Sequence, residues 1–70
     1  MENEDRLKIL SLLYDLLQET RAGRNISELS YHVDDNWEYV KIRFEKGGHK
    51  IVDVTADSGI SMIRDVLRVL

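Results

Sequence analysis

Apolar side chains recur so densely between Leu7 and Leu17 that, at ~100° per residue, they cover one broad arc of a helix. The arc holds Leu7, Ile9, Leu10, Leu12, Leu13, Tyr14, Leu16 and Leu17, and it leaves Lys8, Ser11, Asp15, Gln18 and Glu19 a narrow remainder. The spacing predicts a first helix from about Glu4 to Ala22. Asn3 is placed to cap it, Glu4 and Asp5 suit the positive end of its dipole, and Arg21 suits the negative end. Gly23 fits the left-handed position that ends a helix. One packing contact needs a stripe of only roughly 100°, so this helix has to touch more than one sheet face.

After a loop from Arg24 to Glu28, in which Ile26 is the expected core anchor, the period drops to two. The stretch LSYHVDDNWEYVKIRFE alternates on both sides of its turn and predicts a hairpin turning at Asp35-Asn36. In that register Asp34 faces Trp37, His32 faces Tyr39, Tyr31 faces Val40 and Leu29 faces Ile42. Leu29, Tyr31, Val40, Ile42 and Phe44 then share a face. A second hairpin turns at GGH. A two-residue Gly47-Gly48 loop would set Asp53 on the core face opposite Ile42, at the cost of burying a charge. A three-residue Gly47-Gly48-His49 loop flips every side chain and sets Val52 opposite Phe44, Val54 opposite Ile42 and Asp53 opposite Arg43.

The closing stretch TADSGISMIRDVLRVL predicts a helix capped by Asp57 or Ser58. Ile60, Met62, Ile63, Val66, Leu67, Val69 and Leu70 occupy half of its circumference, and Ser61, Arg64, Asp65 and Arg68 the other half. The fold class that follows is α+β, in the order α-β-β-β-α. It is a three-stranded antiparallel meander with two helices packed side by side on one face, in a single small domain over residues 1–70.

Composition and charge add to this picture. A chain of 70 residues buries only about 60% of its unfolded surface, and small scaffolds draw on a disulfide, a metal or a partner. There is no cysteine, which removes disulfides and Cys-based zinc sites and leaves the core, self-association or both. The net charge of −3, from 10 basic and 13 acidic residues, argues against a nucleic-acid partner, which usually meets a basic excess. No apolar run approaches the ~20 residues of a membrane span, so no membrane partner is expected. Met1-Glu2-Asn3-Glu4-Asp5 lacks the basic start of a secretory leader. With no cysteine to protect, a cytoplasmic location is the expectation.

The candidate chemistry is sparse. His32 and His49 are the only histidines; they fall apart in this register, and no third ligand joins them. No Ser-His-Asp or Cys-His set assembles. The GxxxxGK[ST] spacing is absent, and Asp57 puts a carboxylate where an anion at the last helix would sit. The sequence therefore predicts no catalytic residue, no metal site, no cofactor and no small-molecule substrate. The protein is not expected to be an enzyme.

The outer sheet face is the richest surface. It carries the candidate interface residues Trp37, Tyr39, Lys41, Arg43, His32 and Ile51, and Trp, Tyr and Arg are the types enriched at binding hot spots. A charge row of Glu28, Arg43 and Asp53 across the strands is the plainer, solvated use of the same face.

The element order resembles that of the double-stranded-RNA-binding domain, over nearly the whole chain and in topology only. That family contacts RNA through its first helix, its first hairpin loop and a lysine cluster at the start of its last helix. Here the loop is Asp34-Asp35-Asn36 and the last helix starts Ser58-Gly59-Ile60-Ser61, with Arg64 and Arg68 only later. No binding residue transfers. A nucleic-acid reading would instead rest on Lys41, Arg43, Lys46 and Lys50 around the second hairpin. The principal expectation is a small non-enzymatic protein-interaction domain, a homodimer or a binder of another protein.

Overall fold

A computed structural model describes residues 3–21 and 25–70, the side chain of Asn3 excepted. Its elements are α1 (Asn3–Gln18), β1 (Ile26–Asp34), β2 (Trp37–Phe44), β3 (His49–Asp53) and α2 (Gly59–Val69). The strands form one antiparallel sheet in the order β1-β2-β3. The α-β-β-β-α meander is thus the architecture of the chain. Among the described residues, no helix is long and apolar enough to cross a membrane.

The first hairpin pairs as the alternation predicts: Leu29 with Ile42, Tyr31 with Val40, His32 with Tyr39 and Asp34 with Trp37. Asp35 takes the left-handed conformation its turn needs (φ 55°), one that Asp tolerates better than most residues. The expected loop before this strand is shorter, because β1 already begins at Ile26. Ile26 pairs with Phe44 and Glu28 with Arg43, so Ser27 is an extra residue, a bulge. The bulge lets Ile26 and Leu29 face inward together, and Ile26 is fully buried.

The second hairpin differs from expectation in its partners. Val52 faces Val40 rather than Phe44, and His49 rather than Asp53 lies beside Arg43. The loop is Glu45-Lys46-Gly47. It is closed by the Gly47 N–H donating to Phe44 O (3.0 Å) and the Phe44 N–H donating to Gly48 O (3.3 Å). Gly47 (φ 93°) supplies the left-handed residue that ends a three-residue loop, so the turn starts earlier than the GGH reading placed it. Each β2 residue is offset by four from its expected partner. That even number keeps Val52 and Val54 on the core face, where both are buried.

Helix α1 stops at Gln18, short of the expected Ala22. The next two amides bond back only three residues, Glu19 N–H to Leu16 O and Thr20 N–H to Leu17 O. The Thr20 hydroxyl also donates to Leu17 O, tightening the last turn. Gln18 Nε2 donates to Ile26 O and fastens this end to β1. Arg21 therefore lies past the helix, and no basic residue stands in its last turn. The capping roles expected of the Asn3 side chain and of Gly23 lie outside the described residues. In α2 the cap is Ser58, whose Oγ accepts from the Ser61 N–H at 3.2 Å.

The core lies between the sheet and the helices. Leu10, Leu13 and Leu17 of α1 meet Met62 and Val66 of α2 over Val40, Ile42, Val52 and Val54, with Ile26 closing one end. Each such side chain contributes about 1.5–3 kcal/mol on burial. The helices run in the same sense. Arg6 near the start of α1 bonds to Val54 and Asp57 just before α2. At the other end Gln18 reaches Ile26, which pairs with Phe44, and Lys50 beside Phe44 reaches Val69.

Candidate interaction surfaces

The meander brings the six sequence-predicted residues onto one open face. Strand β2 supplies Trp37, Tyr39, Lys41 and Arg43 at alternate positions, β1 supplies His32 beside Tyr39, and β3 supplies Ile51 beside Lys41. The rings pack on each other. His32 stacks on Tyr39 (centroids 5.0 Å, planes 19° apart), and Trp37 leans on Tyr39 (4.3 Å, 31°). Ser30 Oγ lies 2.8 Å from His32 Nε2 and fixes that ring. The aromatic row thus satisfies much of its own surface. Trp37 and Ile51 are the members left most open among the apolar ones.

The basic half of the face is less satisfied. Lys41 is half-buried between Ser30 and Ile51 and has no ion pair among the described residues. Arg43 meets Glu28 only loosely, at 3.9 Å, with both side chains more than half exposed. The expected charge row stops there. Asp53 lies beside Tyr39 instead and accepts from the Thr55 N–H at 2.9 Å. The Thr55 bonds hold its carboxyl below the ordinary range.

No family model, curated protein or solved structure matches the chain. The likeness to the double-stranded-RNA-binding domain rests on element order alone.

A second surface was only half legible in the sequence. The width of the α1 arc called for contacts beyond the sheet, and the second helix was expected to supply them. It does so only in part. A cleft of about 210 Å³ remains between the helices, lined by Ile9, Leu12, Leu13, Leu16 and Ile63. Around it Leu12 is 59% exposed, Leu16 67%, Ile60 82% and Leu67 47%. The i, i+3, i+7 spacing that buries Leu10, Leu13 and Leu17 turns Leu12 and Leu16 outward. Likewise, the positions of Met62 and Val66 turn Ile60 and Leu67 away from the sheet.

The chemistry missed by sequence reasoning is that of Arg6. It is only 3% exposed and shares its helix phase with Leu10, Leu13 and Leu17. An arginine where the apolar period demands leucine was the available signal. Its Nη1 donates to Val54 O (3.0 Å) and Nη2 to Asp57 O (2.7 Å). Nη2 also lies 3.3 Å from Glu38 Oε2, and the guanidinium sits over the Tyr31 ring at 5.5 Å. Burial first, then the hydrogen bond and charge of Glu38, hold the Tyr31 phenol above its ordinary pKa. One guanidinium therefore ties α1, the sheet and the start of α2 together. No metal-binding group of side chains is formed among the described residues.

Asp57 completes this region with an unfavourable charge. Its Oδ2 is buried without a hydrogen-bond partner. Burial first, then the adjacent Asp65, raise its pKa above the ordinary carboxylate range, against the pull of Arg6 and Arg64. The folded chain therefore holds this proton to higher pH than the unfolded chain does. The stability it gives is full below the ordinary carboxylate range and is lost as pH rises through the raised value. Asp57→Asn should raise stability at pH ~7 by about 1 kcal/mol, the worth of a typical net hydrogen bond, and change little at low pH. Urea midpoints at neutral and acid pH check this, and an equal effect at both would refute it.

Proposed function

We propose that the chain is a non-enzymatic protein-interaction domain that forms a homodimer through the outer side of its helical layer. The apolar cleft between α1 and α2, with Leu12, Leu16, Ile60 and Leu67 open around it, is the observation that carries this reading. Contiguous exposed apolar surface of this kind usually marks an interaction site, and a chain of this size gains the most from a partner. The absence of cysteine fits a reducing compartment such as the cytoplasm.

Charge favours a second copy as the occupant. By helix phase, Asp15 borders the cleft on the α1 side, with Glu19 in the turn that follows the helix and Lys8 between them, so that this border is acidic on balance; Arg64 and Arg68 border it on the α2 side. The arginines reach Asp65 only at 3.7 and 3.9 Å, and both are mostly exposed. A two-fold axis along the cleft lays α1 of one copy over α2 of the other. Apolar side chains then meet apolar ones, and each acidic border meets a basic one. Both open sheet faces stay free on the outside of such a dimer.

Light scattering across concentration tests the reading. The expected mass at low micromolar concentration is twice that of the monomer. Leu16→Glu should give a monomer with unchanged helical circular dichroism, because Leu16 contributes little to the core. A wild-type chain that stays monomeric at hundreds of micromolar would end the proposal.

A further inference from the structure

The open sheet face ends, beside the second hairpin, in a cavity of about 280 Å³ that the dimer would leave free. Lys41, Arg43 and His49 line it together with Ser27 and the Gly47-Gly48 turn. We propose that this cavity binds a phosphomonoester-class dianion.

Three observations carry the inference. The first is an unpaired, half-buried cation. Lys41 has only Ser30 and Ile51 as cross-strand neighbours, and no carboxylate answers it among the described residues. Its stem lies on the sheet while its ammonium has no counter-charge among those residues, and an anion in the cavity supplies one. The second is Arg43. Its contact with Glu28, at 3.9 Å, is much longer than the ~2.7–2.9 Å of a charge-assisted hydrogen bond. The planar fork is therefore available for two oxygens of one phosphoryl group. The third is the shape of the rim. His49 pairs with Arg43 across the strands and lines the same end of the cavity. Gly47 and Gly48 add no side chain there, and a Cβ at either would extend into open space. The bulged Ser27 of β1 also lines the cavity.

The same face limits the ligand to a single anionic group. Beyond Lys41 along β2 the neighbours are Tyr39 with Asp53, then Trp37 with Asp34. A polyanion following the strand would leave two cations and meet carboxylates. The net charge of −3 also gives it no long-range attraction. One dianion held by Lys41 and Arg43 stays clear of the carboxylates along the strand. Free phosphate and a phosphoryl group on a larger molecule share this chemistry.

Amide chemical shifts of the full chain, titrated with inorganic phosphate and separately with phosphoserine at constant ionic strength, test the proposal. The expected result is saturable shifts confined to Ser27, Gly47, Gly48 and His49. Lys41→Gln and Arg43→Gln should each weaken binding about tenfold, as the loss of one charge-assisted hydrogen bond implies, and Glu28→Gln should strengthen it. Tighter binding of phosphoserine than of phosphate would place the natural ligand on a larger molecule, and equal binding would point to the free anion. Shifts that fail to saturate, or an affinity that survives both Lys41→Gln and Arg43→Gln, would overturn it. So would a short single-stranded oligonucleotide that binds more tightly than either probe, since the face would then read a polymer. The association state is independent of this readout, so failure here leaves the dimer reading standing, and the reverse also holds.

Discussion

Arg6→Ala is expected to cost about 3–5 kcal/mol of folding stability, the range for removing one partner of a buried charged network. The loss falls on several groups at once. Asp57 O loses its side-chain donor, Val54 O keeps only the Asp57 N–H, and the Glu38 carboxylate, 3.3 Å away, loses its counter-charge. The ring of Tyr31 loses the cation above it. These contacts are also the link between the start of α1 and the approach to α2. Total stability for single domains is about 5–15 kcal/mol, and this chain is small, so much of the population should unfold. Arg6→Lys should recover little. A lysine presents one compact ammonium, whereas the guanidinium reaches two carbonyls and a carboxylate from fixed directions. Arg6→Met with Glu38→Gln should recover more, because it removes the stranded charge and keeps an apolar stem beside Leu10. Urea unfolding of the four chains measures this, and a loss under about 1 kcal/mol for Arg6→Ala would show that the network is dispensable.

The elements that could be read from sequence are those whose local pattern has a single solution. The first hairpin is one. Alternation on both strands, with polar Asp-Asn at the bend, admits one register that buries Leu29 and Ile42 together, and that register is observed. The second hairpin has a weaker constraint. The need to bury Val52 and Val54 fixes which way the strand faces, but shifts by an even number of residues satisfy it equally. Both Gly47 (φ 93°) and Gly48 (φ 84°) are left-handed, so the glycine pair marks the turn without fixing which three residues form its loop. The α1 arc predicts how much apolar surface exists but not the gap between the helices, so the exposure of Leu16 and Ile60 became visible only in three dimensions. Arg6 was hidden for a related reason. Its value depends on carbonyls 48 and 51 residues away, and no local window contains them. The six residues of the open face were legible because strand alternation assigns faces directly. Their division into a self-packed aromatic half and an unpaired basic half was not, since it depends on which partner each strand sets beside Lys41, Arg43 and Tyr39.

The charges bordering the helical cleft make the dimer geometry testable. With α1 lying over α2 of the second copy, Arg64→Glu together with Arg68→Glu sets acidic borders against acidic ones, and the dimer should weaken by roughly tenfold to a hundredfold. Exposed pairs contribute about 0.2–1 kcal/mol each, and repulsion between like charges is of similar size. Asp15→Lys with Glu19→Lys should weaken it comparably, by setting basic borders against basic ones. All four substitutions in one chain restore opposite signs across the interface, so association should return to near the wild-type level. A dimer with α1 over α1 of its partner behaves differently. Like borders already face each other there, either pair of reversals leaves like facing like, and the affinity stays near wild type throughout. Added salt screens the border charges, so the spread among the variants should narrow while the apolar contribution from Leu12, Leu16, Ile60 and Leu67 persists. Sedimentation equilibrium on the four chains at low and high salt separates the two arrangements. A wild-type dimer insensitive to every reversal would exclude the arrangement with α1 over α2.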